Sequence, residues 1–359
     1  MRALLLCRSG PDGLTARRAR RIAQHAPRDL DVEIVHRPQG PGAERALLAR
    51  LARMPRPDVV VAYDCNPREL RPALVLRARG VPLVVETGDV AADVLRALGA
   101  PRRRVLARRL TETAAWRWAD GLIVRGTGFV DVLAQRGIRR RVHVVAEGVD
   151  VERFAPRPAA AGRRLLGLSD GDVAVGVIGS IVWSPVQQTA YGWELVEALP
   201  SLPAHVRAVV VGPGDGAQRL RARARELGVA DRLVAPGAIA HADVPDVLAA
   251  LDAVTWTQTP DALGRCRTTL KLPEYLAAGK FIVASDVGAA RTLVGDNGAR
   301  IAYRGGRDPG YVAGVVEALA GVADDPAAAR ERGLAGVPKA GAFAWPRVAA
   351  DFYDALCGL

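Results

Sequence analysis

GRCRTTLKLPEYLAAGKFIVASDVG, residues Gly264 to Gly288, is the stretch on which the reading of this chain turns. Leu270, Leu272, Leu276 and Ala277 recur at helical spacing, Thr268 or Thr269 offers an N-cap, and Gly279 offers a stop. Pro273 lacks an N–H and is tolerated only in a first turn, which predicts a helix starting near Thr269. Free backbone N–H groups and the positive end of the helix dipole favour an anion there. Lys271 and Glu274 are three residues apart and share a face. A cation beside a carboxylate suits a ligand with phosphate at one end and a diol at the other. Phe281 to Ala284 then reads as a short buried strand, and Ser285 to Gly288 as a turn at its carboxyl end, where open α/β sheets hold ligands. The plainer alternative is a surface helix carrying a weak Lys–Glu pair. Lys271, Lys280 and Lys339 are the only three lysines among fifty basic residues, and a compact ammonium suits phosphate as a point charge.

Upstream, strands and helical segments alternate. Arg2 to Cys7, Asp31 to His36, Asp58 to Tyr63 and Pro82 to Glu86 read as strands, the first followed by a glycine-bearing loop with Gly10 and Gly13. This is the opening of a Rossmann-like domain without the dinucleotide fingerprint. The fourth strand ends in Thr87, Gly88 and Asp89, and a long basic helix with Glu112 spans Arg102 to Ala119. Strands at Gly121 to Arg125 and Val142 to Val145 follow, and Phe154 to Pro158 reads as a linker. The alternation then restarts with Val173 to Ile178, a long loop from Gly179 to Gly192, and strands at Val206 to Val211, Leu233 to Ala235 and Ala253 to Thr257. Helical periodicity returns at Trp345 to Leu356. The expected fold class is α/β, two Rossmann-like domains with parallel sheets facing each other across a cleft.

Half of the 359 residues are apolar, enough for two cores. Four cysteines (Cys7, Cys65, Cys266, Cys357) show no paired spacing, which argues against a zinc site or disulfide framework and for a reducing cytoplasm. The apolar run Ala3 to Cys7 is too short for a signal peptide, and no stretch reaches the ~20 apolar residues of a membrane span. The formal charge of +12 is almost all arginine spread along the chain, densest at Arg17 to Arg21, Arg102 to Arg109 and Arg139 to Arg141. Solvated helix faces account for it. Nucleic-acid binding would rest on charge alone, whereas an anionic acceptor or peripheral membrane surface against the first domain stays open.

Lys271 to Gly288 (KLPEYLAAGKFIVASDVG) resembles the nucleotide-sugar motif of the GT-B retaining glycosyltransferases, specifically the large family-four group. Supporting matches are Ala119-Asp120-Gly121, Gly148-Val149-Asp150 with Phe154, Val211-Gly212, and Phe343-Ala344-Trp345, so the likeness covers nearly the whole chain. It implies an acceptor-side domain at 1–157, a nucleotide-sugar domain at 158–342, and a terminal helix at 343–359 crossing back to the first domain. It implies that Glu274 accepts from the donor ribose hydroxyls, and that Lys271, with Gly179 and Ser180, meets the diphosphate. Backbone near Ile239 would meet the base, and Gly13 would let the first domain approach closely. The implied chemistry is metal-independent, without cofactor: front-face transfer of a sugar from a nucleotide-diphosphate donor to a small or lipid-linked acceptor, with Asp89 as the catalytic candidate or simply a turn residue.

Three positions depart from that pattern. Ser180 and Tyr191 stand where relatives commonly carry Arg and Lys, so Arg265 or Arg267, beside Thr268, is left to supply phosphate-side charge. Cys266 falls where the first of two glutamates is frequent. The loop from Ile181 to Tyr191 has no assigned role. Two other readings follow: an epimerase or hydrolase using the same cleft, and a non-catalytic sugar-nucleotide-binding protein.

Overall fold

The computed structural model describes all residues except 8, 9, 12, 37–39, 65, 66, 268 and 359, and the side chains of residues 67–69 are also left aside. Two six-stranded parallel sheets organise the chain. The first contains β1 (Arg2–Cys7), β2 (Asp31–His36), β3 (Val59–Tyr63), β4 (Leu83–Thr87), β5 (Gly121–Val124) and β6 (Arg141–Val144), in the order β2-β1-β3-β4-β5-β6. The second contains β7 (Val173–Ile178), β8 (Val206–Val211), β9 (Leu233–Gly237), β10 (Ala253–Trp256), β11 (Phe281–Ser285) and β12 (Gly298–Ile301), in the order β12-β11-β10-β7-β8-β9.

The near-continuous apolar runs are what a parallel sheet covered on both faces requires. Alternate side chains divide between two cores. In β1, Leu4 and Leu6 enter one core while Ala3, Leu5 and Cys7 enter the other. In β7, Val175 and Val177 face one side and Ala174 and Ile178 the opposite one.

The chain crosses between the sheets twice, side by side. Val149 N–H donates to the Phe343 carbonyl at 2.8 Å, and a side chain at Gly148 would collide with the Trp345 ring. The last helix, Trp345–Cys357, lays Val348, Ala349, Phe352 and Leu356 into the first-sheet core beside Ala16, Ala19 and Ile22 of helix Leu14–Gln24. The Tyr353 hydroxyl donates to the Ile22 carbonyl at 3.1 Å.

The decisive stretch departs locally from expectation. Its helix is Lys271–Ala277, seven residues long, so it begins two residues later than predicted, with Leu270 in helical conformation at the cap position. Thr269 does not cap it. Its hydroxyl instead accepts from the Trp256 indole N–H at 2.9 Å. Gly279 follows with φ +62°, the left-handed exit that glycine allows. Arg18 departs too: it is no solvated arginine but 2% exposed. It and Arg125 hold Glu86 and Glu147 in one buried network, with Arg18–Glu86 at 3.0 Å and Arg125–Glu147 at 3.1 Å.

Candidate functional site

The carboxyl ends of the second sheet gather most of the predicted residues. β7 runs into Gly179, whose φ of +146° suits glycine, and a Cβ there would overlap the Lys271 side chain. The motif helix is fixed against this turn by Tyr275, whose hydroxyl accepts from the Ile178 N–H at 3.1 Å. Lys271 is therefore seated directly under the glycine turn, buried, with its Nζ 3.4 Å from the Tyr191 ring centroid. Burial lowers its pKa, partly countered by Tyr191. Tyr191, which Gln258 Nε2 reaches at 3.0 Å, occupies the sequence position where a lysine was expected by resemblance and stacks on a lysine from elsewhere. The stack seats the motif lysine on an aromatic face and adds no charge in place of the two absent cations, a contact invisible to linear spacing.

Arg267 lies on the same side. It donates twice to the Asp89 carboxylate, at 2.7 and 3.2 Å, joining the second domain to the turn after β4. Two residues expected to contact substrate separately are thus paired with each other across the cleft. Asp89 is placed there by Glu112, whose carboxylate accepts from the Ala91 and Ala92 N–H groups at 2.7 and 3.1 Å and so fixes the start of helix Ala91–Ala97. Ser180 is exposed on the wall of the same space. Thr268 lies outside the described residues.

Glu274 points into a second cavity of about 430 Å³. Helix Leu14–Gln24 supplies its opposite wall through Leu14, Arg17 and Arg21, and Arg153 and His241 close the side. Gly13 is the N-cap of that helix, its N–H donating to the Gly10 carbonyl at 3.0 Å. It stands beside the wall and does not contribute to it. Ile239 packs half-buried on the second core, two residues from His241. Burial pushes the Glu274 carboxyl up to about 7, against the pull of Lys271 and Arg153. His241 is lowered by burial and by Arg153, Arg17 and Arg21. Among the described residues, cations ring this carboxylate without a close ion pair to it.

Cys266 is no donor-sugar contact in this arrangement. It is buried in the first-domain core, its thiol reaches the Gly128 carbonyl at 3.5 Å, and burial raises its pKa to about 12. The loop before Gly192 is structured: Trp183 and Trp193 meet edge to face at 5.6 Å, and the Ser184 hydroxyl donates to the Ala97 carbonyl of the first domain at 2.8 Å. The aromatic content of this loop was the one sequence signal for what it builds.

Residues 173–321 match the family model described as Glycosyl transferases group 1. A D-inositol 3-phosphate glycosyltransferase of Xylanimonas cellulosilytica is 33% identical over 228 residues, 60% of this chain and 50% of its own. A GDP-mannose-dependent alpha-mannosyltransferase of Mycobacterium tuberculosis is 30% identical over 194 residues, 52% and 46% of the two chains. The chain spans about half the length of these curated relatives. Among solved structures, Anabaena HepE in complex with UDP superposes with a TM-score of 0.75 at 20% identity, covering 100% of both chains. A sucrose-phosphate synthase from Thermosynechococcus elongatus gives 0.77 at 17% identity, covering 100% of this chain and 98% of its own. These structures share the fold along its whole length. The chain has the GT-B fold, and its residues 173–321 match the family model of the group 1 glycosyl transferases.

Proposed function

We propose that the protein is a retaining glycosyltransferase that moves a sugar from a nucleotide-diphosphate donor to an acceptor held between the domains. The observation that carries this is the seating of Lys271 beneath the Gly179 turn, with Glu274 one helical turn on and facing the adjoining cavity. The diphosphate would lie against the Gly179 and Ser180 backbone, with Lys271 and Arg267 meeting its charge, and the ribose hydroxyls would donate to Glu274. The base would pass Ile239 and the neutral His241 ring.

In the reaction the anomeric carbon–phosphate oxygen bond breaks, the acceptor oxygen bonds to the same face of that carbon, and the acceptor proton passes to the leaving diphosphate. No side-chain nucleophile takes part. The residues supply position and charge: Lys271 and Arg267 stabilise the diphosphate as its charge grows, and Asp89 faces the transfer point while holding Arg267. With those cations in place we propose that metal is not needed. The relatives, named for an inositol phosphate and for GDP-mannose, and the UDP complex of HepE support a nucleotide-sugar donor and leave its base open.

A cytoplasmic setting suits the free buried thiols of Cys7 and Cys266. Among the described residues no helix is long and apolar enough to cross a membrane. Peripheral contact is proposed through helix Arg102–Trp118, which exposes Leu106, Leu110 and Trp118 among its arginines. The Arg267–Asp89 pair favours a second reading, a protein that binds sugar nucleotides without turning them over. Incubation with UDP-, GDP-, ADP- and dTDP-sugars and an acceptor panel separates the two. The expected result is a glycoside with the donor's anomeric configuration by NMR; an inverted product overturns the mechanism, and binding without product across the panel favours the second reading.

A further inference from the structure

We propose that the chamber built by the loop before Gly192 is an acceptor subsite for a compact aromatic alcohol, a phenol or fused-ring aglycone. The proposal rests on the glycosyltransferase reading above. The chamber, of about 280 Å³, opens between that loop, the first-domain helix Ala91–Ala97 and the far end of the second sheet. Ser180, Tyr191 and Arg267 belong to its wall as well as to the phosphate side, so an occupant has direct access to the transfer point.

Its walls select for flat apolar bodies. Trp183 and Trp193 form an edge-to-face pair, and Tyr303 and Tyr311 meet at 4.5 Å between centroids. The polar groups among them are largely occupied with one another. Glu194 accepts from Thr255 and Thr257 at 2.8 and 3.0 Å, Thr257 and Tyr311 share a hydrogen bond of 2.7 Å, and Tyr303 donates to the Gly306 carbonyl at 2.9 Å. Asp308 accepts from the Arg304 and Gly310 N–H groups. A hydroxyl-rich sugar would lose water here and find few partners, whereas an aromatic ring loses nothing. The Arg307 guanidinium over Trp193, 4.2 Å from its centroid, adds a cationic edge at the exposed rim. The aglycone hydroxyl would reach the anomeric carbon at the Arg267 end, its proton leaving on the diphosphate as the C–O bond forms.

The test uses the full chain and 2-naphthol, read by quenching of tryptophan fluorescence, with 1-octanol and myo-inositol as comparisons and a chromatographic search for naphthyl glycoside. Expected are saturable quenching by naphthol, at least about tenfold weaker binding of the other two, and a loss of about tenfold in Ala97→Phe, as for excluding one or two methylene-sized contacts. Nucleotide-sugar affinity should be unchanged in that variant. Because Leu98 is 47% exposed, Leu98→Glu provides a second substitution that the fold tolerates, with the same expected loss. Octanol binding as well as naphthol, or naphthol indifferent to both variants, overturns the proposal. Nucleotide-sugar binding with no naphthol binding overturns the subsite and leaves the transferase reading standing. Naphthol binding without nucleotide-sugar binding leaves an aromatic pocket but overturns the acceptor role.

Discussion

Lys271 and Lys280 belong to one motif and do opposite work. Lys271 has its ammonium on an aromatic face under a glycine turn, with no carboxylate within ion-pairing distance among the described contacts. Lys280, also buried, donates to the Ala249 and Leu251 carbonyls at 3.2 and 2.8 Å and closes the end of helix Val244–Ala249. Lys280→Met should therefore lower the melting temperature by several degrees, since two buried carbonyls lose a partner at a cost of about 2 kcal/mol, while donor affinity stays at the parent level. Glu274 adds a pH signature. Its carboxyl is held at about 7, and only the ionised form accepts from two ribose hydroxyls. Affinity for a nucleotide-diphosphate sugar, whose phosphates do not titrate in this range, should rise with pH through about 7 and then level off; calorimetry from pH 6 to 8.5 on the parent and Glu274→Gln checks this, the variant binding weakly without a slope. Stability responds with the opposite sign. The folded carboxyl holds its proton more tightly than the unfolded one, so this group's contribution is complete below the ordinary 4.5 and is lost as pH rises through about 7.

Elements decide how charges at the cleft are shared. The turn after β4 and the end of helix Ala262–Cys266 bring Asp89 and Arg267 together, and both are partly exposed, so the pair is worth under about 1 kcal/mol. A diphosphate would compete with Asp89 for that guanidinium. Asp89→Asn should bind donor about two- to fivefold more tightly by calorimetry and transfer sugar more slowly, a split that a mere turn residue would not give. All the strands but β12 were legible because each centres on a mostly apolar run bounded by glycine or a polar turn. Lys271 and Glu274 were legible as a pair because helical spacing is a local pattern, and Gly179 joined them only through the family resemblance. The Lys271–Tyr191 stack was not, since its partners are eighty residues apart in sequence. Helix Pro309–Asp324 carries Gly310, Gly314 and Gly321, poor helix formers, and β12 buries little beyond Gly298, so neither announces itself by periodicity.

At the scale of the whole molecule, a buried ion network ties the first domain to the crossover. Arg18 and Arg125 both reach Glu86 and Glu147, the latter immediately before the Gly148–Val149 crossing. Arginine-rich helices read from sequence as solvated faces, and nothing local distinguishes Arg18 from its exposed neighbour Arg20. Arg125→Ala would leave two buried carboxylates undercompensated and should cost about 3–5 kcal/mol in chemical unfolding, in contrast to surface substitutions such as Arg109→Ala, which should cost almost nothing. The network holds helix Leu14–Gln24 in place, and with it the wall opposite Glu274. All of this presupposes that a sugar nucleotide enters between that wall and the motif helix. The direct test is calorimetric titration of UDP- and GDP-sugars into the parent, Lys271→Met and Glu274→Gln proteins at pH 8. Saturable one-to-one binding of one donor to the parent, weakened at least about tenfold in each folded variant, is predicted. Equal binding by all three proteins would contradict it.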